Sequence, residues 1–247
     1  MINSLFDALN IEPYKMISII GGGGKTTLMF SLAKELKAKG KKVAVTTSTH
    51  IMKPSVDDIT DLVIMNPDEQ AVINAFKNNT VVAFGNDSEG KMGSPEPEFF
   101  NYIKKYVDYV FVEADGSKRL PFKAPRDYEP VYPQENEYTI IVAGLSAIGC
   151  PIKEKCHRAN LLCNIIKKDE NEILSAQDMA EVIISSKGQL KDIKDFSKVT
   201  LVLNQADDEQ RIKDATEVAN IVFKKRGIKT VIATLNKDTK VKKCVEA

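Results

Sequence analysis

Short apolar runs, each followed by a more polar stretch with apolar residues at helical spacing, recur along the chain. Residues 16–20 form the first such run and end in glycines. The stretch 25–39 then puts Leu28, Leu32, Ala33 and Leu36 on one helical face and meets Gly40 as a stop. Further strands are predicted at 42–47, at Leu62–Met65 (closed by Asn66-Pro67), at 81–84 and at 109–112, with helices at 69–77 and 96–105. The 109–112 run is apolar throughout, the pattern of a strand buried on both faces. Beyond it, strands are expected at 139–143, 199–203 and 230–233, and helices at 155–166, 177–185 and 208–226. Strands alternating with helices imply an α/β fold: a mostly parallel sheet covered on both sides, in three α/β/α layers. Residues 1–247 read as a single domain of this kind, with a mainly helical subdomain or insertion at about 147–198.

One segment breaks the rhythm. Residues 115–133 carry Pro121, Pro125, Pro130 and Pro133 among many charges and read as a long loop. Loops of that length inside compact domains usually carry function.

Composition narrows the partners. The 247 residues are 43% hydrophobic and 28% charged, enough for one substantial core. Lys and Arg number 35 against 34 Asp and Glu, a net charge of +1. That balance argues against nucleic acid or an anionic membrane as partner, so any basic site is local. The N-terminal MINSLFDALNIEPYK lacks the charged-then-apolar order of a signal peptide, and no apolar run approaches a membrane span, which points to a cytoplasmic protein. Cys150, Cys156, Cys163 and Cys244 do not form a disulfide framework. Cys150, Cys156-His157 and Cys163 are either a soft-metal or selenium site or, lacking a C-x-x-C pair, a mixture of core thiols and helix residues.

The sharpest chemistry lies in Gly21-Gly22-Gly23-Gly24-Lys25-Thr26-Thr27, between a strand and an amphipathic helix, which is the context a P-loop requires. Glycines let the backbone take positive φ and approach phosphates without a Cβ clash. The freed N–H groups and the helix N-terminus favour anions. In that role Lys25 reaches the β- and γ-phosphates and Thr26 offers its hydroxyl to Mg²⁺. The usual G-x-x-x-x-G-K spacing would put its first glycine at Ile19, so the loop is a short G-x-x-G-K-T form beginning at Gly21. It resembles the P-loop of Mur ligases, and the expected fold is P-loop NTPase-like.

Several segments are candidate partners of that loop. Glu113 and Asp115 follow the 109–112 strand, where a Walker B acid sits. Either can hold the metal while the other orients a water or acceptor hydroxyl, or Asp115-Gly116 is simply a turn. Thr46-Thr47-Ser48-Thr49-His50 ends the second strand beside the loop, as a hydroxyl run that binds phosphate or Mg²⁺ or as β-branched strand residues with a local turn; His50 is a general acid or base or an unpaired loop histidine, and Thr49 and His50 are candidate substrate residues. Lys118, Arg119, Lys123 and Arg126 are rigidly framed cations suited to an anionic second substrate, or a solvated charged loop. Asn204-Gln205-Ala206-Asp207 resembles the guanine-reading Asn-Lys-x-Asp motif with glutamine in place of lysine, but Asp207 followed by Gln210 is also a helix-capping pattern.

GGGGKTTLM, VTTSTHI, VEADGSKRLPFKAPRDYEPVYP and Cys156-His157-Arg158 together resemble the YqeC family, over about residues 16–204. Its members are described as P-loop accessory proteins of selenium-dependent molybdenum hydroxylases, tied to selenium insertion or molybdenum-cofactor maturation. The resemblance implies a pathway more than a mechanism, and adds His157 and Arg158 to the candidate substrate residues. The leading expectation is a Mg²⁺-dependent NTPase or phosphotransferase using ATP or GTP. Its P-loop, Asn204 and Asp207 bind the nucleotide, Thr26 and Glu113 the metal, and the basic loop an anion such as the molybdenum cofactor or a selenium carrier. The alternatives are a GTP-switched, metallochaperone-like protein that docks on the apo-hydroxylase, and a Mur-like ATP-dependent ligase. The missing downstream ligase domain counts against the last.

Overall fold

The computed structural model of the chain describes residues 4–57, 59–235 and 240–246. It opens with a short helix α1 (Leu5–Leu9), capped by the Ser4 hydroxyl. Strand β1 (Met16–Gly21) then runs into helix α2 (Lys25–Ala38). One half of the sheet and its cover come from β2 (Val43–Thr47), β3 (His50–Met52), β4 (Leu62–Met65), α3 (Glu69–Ala75), β5 (Val81–Ser88), β6 (Lys91–Gly93), α4 (Pro97–Ile103) and β7 (Tyr109–Glu113). After β8 (Phe122–Lys123), the other half follows as β9 (Tyr138–Gly144), α5 (Ile152–Lys155), β10 (Cys156–His157), α6 (Ala159–Ile166), α7 (Ala176–Ile184), β11 (Val199–Asn204), α8 (Glu209–Arg226), β12 (Lys229–Thr234) and β13 (Lys240–Val245).

The sheet order is β13-β12-β11-β9-β1-β7-β2-β5-β6-β3, with β4 also on β5. Pairings among β4, β5, β2, β7, β1, β9, β11 and β12 are parallel. Antiparallel strands lie at the two edges: β13 at one, β6 and β3 at the other. This is the expected α/β fold. The central strands are apolar on both faces because both are covered. Ile17 and Ile19 of β1 pack with Leu28, Leu32 and Leu36 of α2 and Leu5 and Leu9 of α1. Met16 turns the other way, toward Phe84, Phe99 and Phe100. Ile20 joins the cluster of Leu162, Met179 and Val218 from α6, α7 and α8. Each such side chain fully buried contributes about 1.5–3 kcal/mol. The helices between β9 and β11 share that cluster with Ile141 and Leu201, so they are part of the sheet's cover.

The helix expected at 155–166 is broken. Arg158 has φ 61, so α5 and α6 are separated by β10. Strand β10 pairs in parallel with β8 inside the proline-rich segment, matching Cys156 to Phe122 and His157 to Lys123. Two-residue strands carry no periodicity, which is why neither was legible. Among the described residues no helix is long and apolar enough to cross a membrane.

The loop after β1 is held against β9. Gly21 has φ 98, and a Cβ there would collide with the Val142 carbonyl oxygen. At Gly23, with φ 79, a Cβ would lie 2.5 Å from Gly144 Cα. Both glycines are required by close approach as well as by backbone conformation. Gly21→Ala is expected to cost at least about 2 kcal/mol and to lower the Tm by roughly 4–8 °C, read by thermal unfolding. An unchanged Tm would contradict this packing.

Candidate functional site

The C-terminal ends of the central parallel strands open on a cleft of about 660 Å³. In parallel α/β sheets that is where ligands bind. Gly23, Gly24, Lys25, Thr26 and Thr27 form its floor. Gly24 caps α2 without a side chain, and the first-turn amides have no intrahelical partner. Earlier in the loop the amides are committed: Gly22 N donates to Val142 O at 2.9 Å and Gly23 N to Leu120 O at 3.2 Å. The anion-binding capacity of this loop therefore sits at the helix end, where the dipole also favours negative charge.

Lys25 is 3% exposed. Its Nζ donates to Gly21 O at 2.7 Å and lies 3.1 Å from Asp115 Oδ1 and 3.5 Å from Glu113 Oε1. Burial alone would lower its pKa, but Asp115 and Glu113 together hold the ammonium above the usual lysine value. Thr26 Oγ1 donates to Glu113 Oε2 at 2.7 Å. Burial pushes the Glu113 carboxyl above the usual carboxylate range; Lys25 and Thr26 oppose that shift and Asp115 adds to it. The two acids differ in setting. Glu113 lines the cleft, whereas Asp115 is 1% exposed and turned into the protein.

Both Asp115 oxygens accept from Gly21 N, at 3.1 and 2.9 Å. Behind Asp115 a chain of alternating charges runs through the protein. Asp115 Oδ2 meets Lys123 Nζ at 3.0 Å, and Lys123 Nζ meets Glu129 Oε2 at 2.7 Å. Arg158 clasps Glu129 with both terminal nitrogens, NH2 at 2.5 Å from Oε1. Lys123 also donates to Gly116 O at 2.8 Å, and Gln189 Nε2 donates to Lys123 O at 2.5 Å. Burial raises the Glu129 carboxyl, but Arg158 and Lys123 outweigh it and hold the pKa at about 2. Counting Lys25, Lys123 and Arg158 against Glu113, Asp115 and Glu129, the cluster balances three cations with three carboxylates.

The candidate residues thus divide. Gly23, Gly24, Lys25, Thr26, Thr27, Glu113, His50, Lys118, Arg119 and Asn204 line the cleft. Lys123 and Arg158, read as substrate cations, face carboxylates within the protein and not the cleft. Arg126 is exposed and lies over the Tyr128 ring, 5.7 Å from its centroid. His157 sits beside Arg158 and Lys123; burial and then their charges lower its pKa to about 4, so it is uncharged at neutral pH. The hydroxyls of Thr46, Thr47 and Ser48 are spent on backbone carbonyls of neighbouring segments. Thr46 Oγ1 donates to Phe84 O and Thr47 Oγ1 to Glu113 O, each at 2.8 Å. Thr49 N donates to Thr47 Oγ1 at 3.0 Å, and Ser48 Oγ donates to Val131 O. Asn204 is a clamp: Nδ2 donates to Gly23 O at 2.6 Å, while Oδ1 accepts from Gln205 N at 2.7 Å and Leu235 N at 2.8 Å. Asp207 pairs with Arg211 at 2.9 Å outside the cleft lining.

Among the described residues no three His, Cys, Asp or Glu side chains gather so as to hold a metal ion. Cys156 belongs to the hydrophobic core, and burial pushes its thiol up to about 12. Sequence reasoning named no role for Met52, Lys91 and Ser117 in the cleft, or for Glu129 behind it. Ser117 and Glu129 carried a signal, both inside the VEADGSKRLPFKAPRDYEPVYP stretch, Glu129 as the acid of its EPV-P part.

The charge chain makes a pH-dependent prediction. Glu129 titrates near 4.5 when unfolded and at about 2 when folded. Its stabilisation is therefore present above the unfolded value and is lost as pH falls through the folded one. Glu129→Gln, which leaves Lys123 and Arg158 short of a charge, is expected to cost about 3 kcal/mol at pH 7. That deficit relative to the unaltered chain should shrink as pH falls from 4.5 toward 2 in denaturant titrations. A deficit independent of pH would contradict the account.

Residues 17–160, more than half of the chain, match the YqeC protein family. A curated relative, "Uncharacterized protein YqeC" of Escherichia coli (strain K12), is 28% identical over 185 residues, covering 72% of this chain and 71% of its own length. Among solved structures, "Crystal structure of FlhF complexed with GMPPNP/Mg(2+)" covers 97% of this chain and 75% of that one at 14% identity, with a TM-score of 0.46. The family match takes in the glycine loop, Glu113, Asp115 and every member of the charge chain, Arg158 included. The chain belongs to the YqeC family.

Proposed function

We propose that the chain binds a nucleoside triphosphate with Mg²⁺ and hydrolyses it or transfers its terminal phosphoryl group, within selenium or molybdenum-cofactor maturation of molybdenum hydroxylases. The observation that carries the chemistry is the Lys25, Thr26 and Glu113 constellation at the uncapped N-terminus of α2. Amides of the first helical turn bind phosphate oxygens, and Lys25 supplies a positive charge. Thr26 Oγ1 and Glu113 Oε2, 2.7 Å apart, are hard oxygen donors of the kind Mg²⁺ takes, with phosphate oxygens and water completing its shell. Bound there, Mg²⁺ neutralises charge on the phosphates.

The two acids take different roles. Glu113 faces the cleft and is the metal-side acid. Burial raises its pKa, and a cation held beside it would favour the carboxylate form. Asp115 keeps the P-loop in shape through Gly21 and Lys25. Asn204 spends its side chain on the loop and on Leu235 N just after β12, and Asp207 on Arg211, so these side chains give guanine no advantage over adenine. The pathway is supported by the family resemblance alone.

Calorimetric titration with ATP, GTP, CTP and their diphosphates, with and without Mg²⁺, tests this reading. Mg²⁺-dependent binding of at least one triphosphate is expected, weakened at least tenfold by Lys25→Ala. Thr26→Ala is expected to remove most of the Mg²⁺ dependence. If no nucleotide binds, the proposal fails.

A further inference from the structure

The floor of the cleft lies between two ends of unlike character. In the sheet order, β9 separates β1 from β11, and β7 separates β1 from β2. Asn204, Gln205 and Leu235 lie toward β11 and β12. Glu113, at the tip of β7, lies on the opposite side of the P-loop, and beyond it stand His50, Met52 and Lys91 on the β3–β6 wall. The pair Thr26–Glu113 is on that second side of the loop, so a phosphate chain that follows the helix amides to this pair points its terminal group away from Asn204.

That side of the cleft is basic. Lys91 and His50 are exposed on the β3–β6 wall, and Lys118 and Arg119 are exposed on the 116–119 segment, which lines the same cleft and runs from the tip of β7 to the Leu120 carbonyl that accepts from Gly23 N. Glu113 carries the one carboxylate among the described lining residues, and it is already paired with Thr26 and Lys25. Lys118 and Arg119 have φ 49 and 61, two left-handed residues in succession, closed by Leu120 N donating to Ser117 O at 2.9 Å. Left-handed conformations of bulky residues cost of order 1 kcal/mol or more each and persist where the surroundings impose them. Here they put two cations at the lip of a phosphate cleft. The β3–β6 wall is closely built as well: a Cβ at Gly93 would lie 3.2 Å from Ser88 Cβ and 3.5 Å from the His50 ring. Met52, 60% exposed, adds an apolar surface to it.

We infer that the Lys91, His50, Lys118 and Arg119 end of the cleft binds a second small molecule that bears an anionic oxygen group, a carboxylate or a phosphate, beside the terminal phosphoryl group of the nucleotide. The inference rests on the nucleotide reading above and adds the class of its co-substrate. Lys91, Lys118 and Arg119, three exposed cations lining a cleft in which Glu113 is the one carboxylate among the described lining residues, suit a separate organic anion. Such an acceptor also fits the scarcity of a free base. Its oxyanion forms one bond to the terminal phosphorus as the bond to the bridging oxygen breaks. The electron pair leaves with the nucleoside diphosphate, and no proton has to move.

The test uses the full chain saturated with Mg²⁺ and the non-hydrolysable analogue of whichever triphosphate binds, saturation being verified for every variant. Malonate and inorganic phosphate are titrated separately by calorimetry. At least one is expected to bind at a single saturable site, at least tenfold more weakly in the Lys118→Ala/Arg119→Ala double variant and severalfold more weakly in Lys91→Ala. The remote surface variant Lys224→Ala serves as the control and is expected to match the unaltered chain. Which anion binds identifies the group. Nucleotide binding with no second saturable event, or anion binding equal in the double variant and the unaltered chain, overturns this inference and leaves the nucleotide reading standing. Failure to bind any nucleotide overturns both.

Discussion

The Asp115 carboxylate is the constraint on which the rest of the site depends. At 1% exposure it accepts the Gly21 amide with both oxygens and lies about equally close to Lys25 and Lys123, at 3.1 and 3.0 Å. A buried charge without partners is strongly destabilising, so those partners have to be present together. Asp115 therefore joins the end of β7, the turn after β1 and the proline-framed segment into one body. Lys123 passes the same demand to Glu129, and Glu129 passes it to Arg158. The left-handed backbone at Arg158, which breaks the helix there, lets its guanidinium reach Glu129.

This arrangement separates two sides of the glycine loop. On the inner side the loop's amides and carbonyls are consumed by protein: Gly21 N by Asp115, Gly22 N by Val142, Gly23 N by Leu120, Gly23 O by Asn204 and Gly21 O by Lys25. On the outer side the helix-end amides, Thr26 and Glu113 line the cleft. The loop's shape is thereby set by the protein before a ligand arrives, which lowers the ordering cost of binding. Glu113 sits at the boundary, near enough to Lys25 for its charge and open enough to meet a cation.

The sheet and its covering helices were legible because the central strands are continuous apolar runs and the helices carry apolar residues at helical spacing. The glycine loop was legible because its residue types are demanded by backbone geometry. The roles of the charged residues were not. A sequence shows that Lys123 and Arg158 are cations, but not that they face Asp115 and Glu129 across 35 positions of chain from Lys123 to Arg158. The hydroxyl run from Thr46 to Thr49 offered the same ambiguity, and the hydroxyls of Thr46, Thr47 and Ser48 went to backbone carbonyls. The β3–β6 wall was missed for another reason: three-residue strands and an exposed methionine leave no periodic trace.

The central claim is that the helix-end amides, and not the loop's inner amides, form the anion site. Residue-resolved amide hydrogen exchange of the full chain, with and without Mg²⁺ and a non-hydrolysable triphosphate, tests it most directly. New protection is predicted at Lys25, Thr26 and Thr27, with Gly21, Gly22 and Gly23 already protected in the free protein by their protein acceptors. Unprotected amides at Gly21–Gly23 in the free protein, or protection on ligand addition that leaves residues 25–27 unchanged, would contradict it.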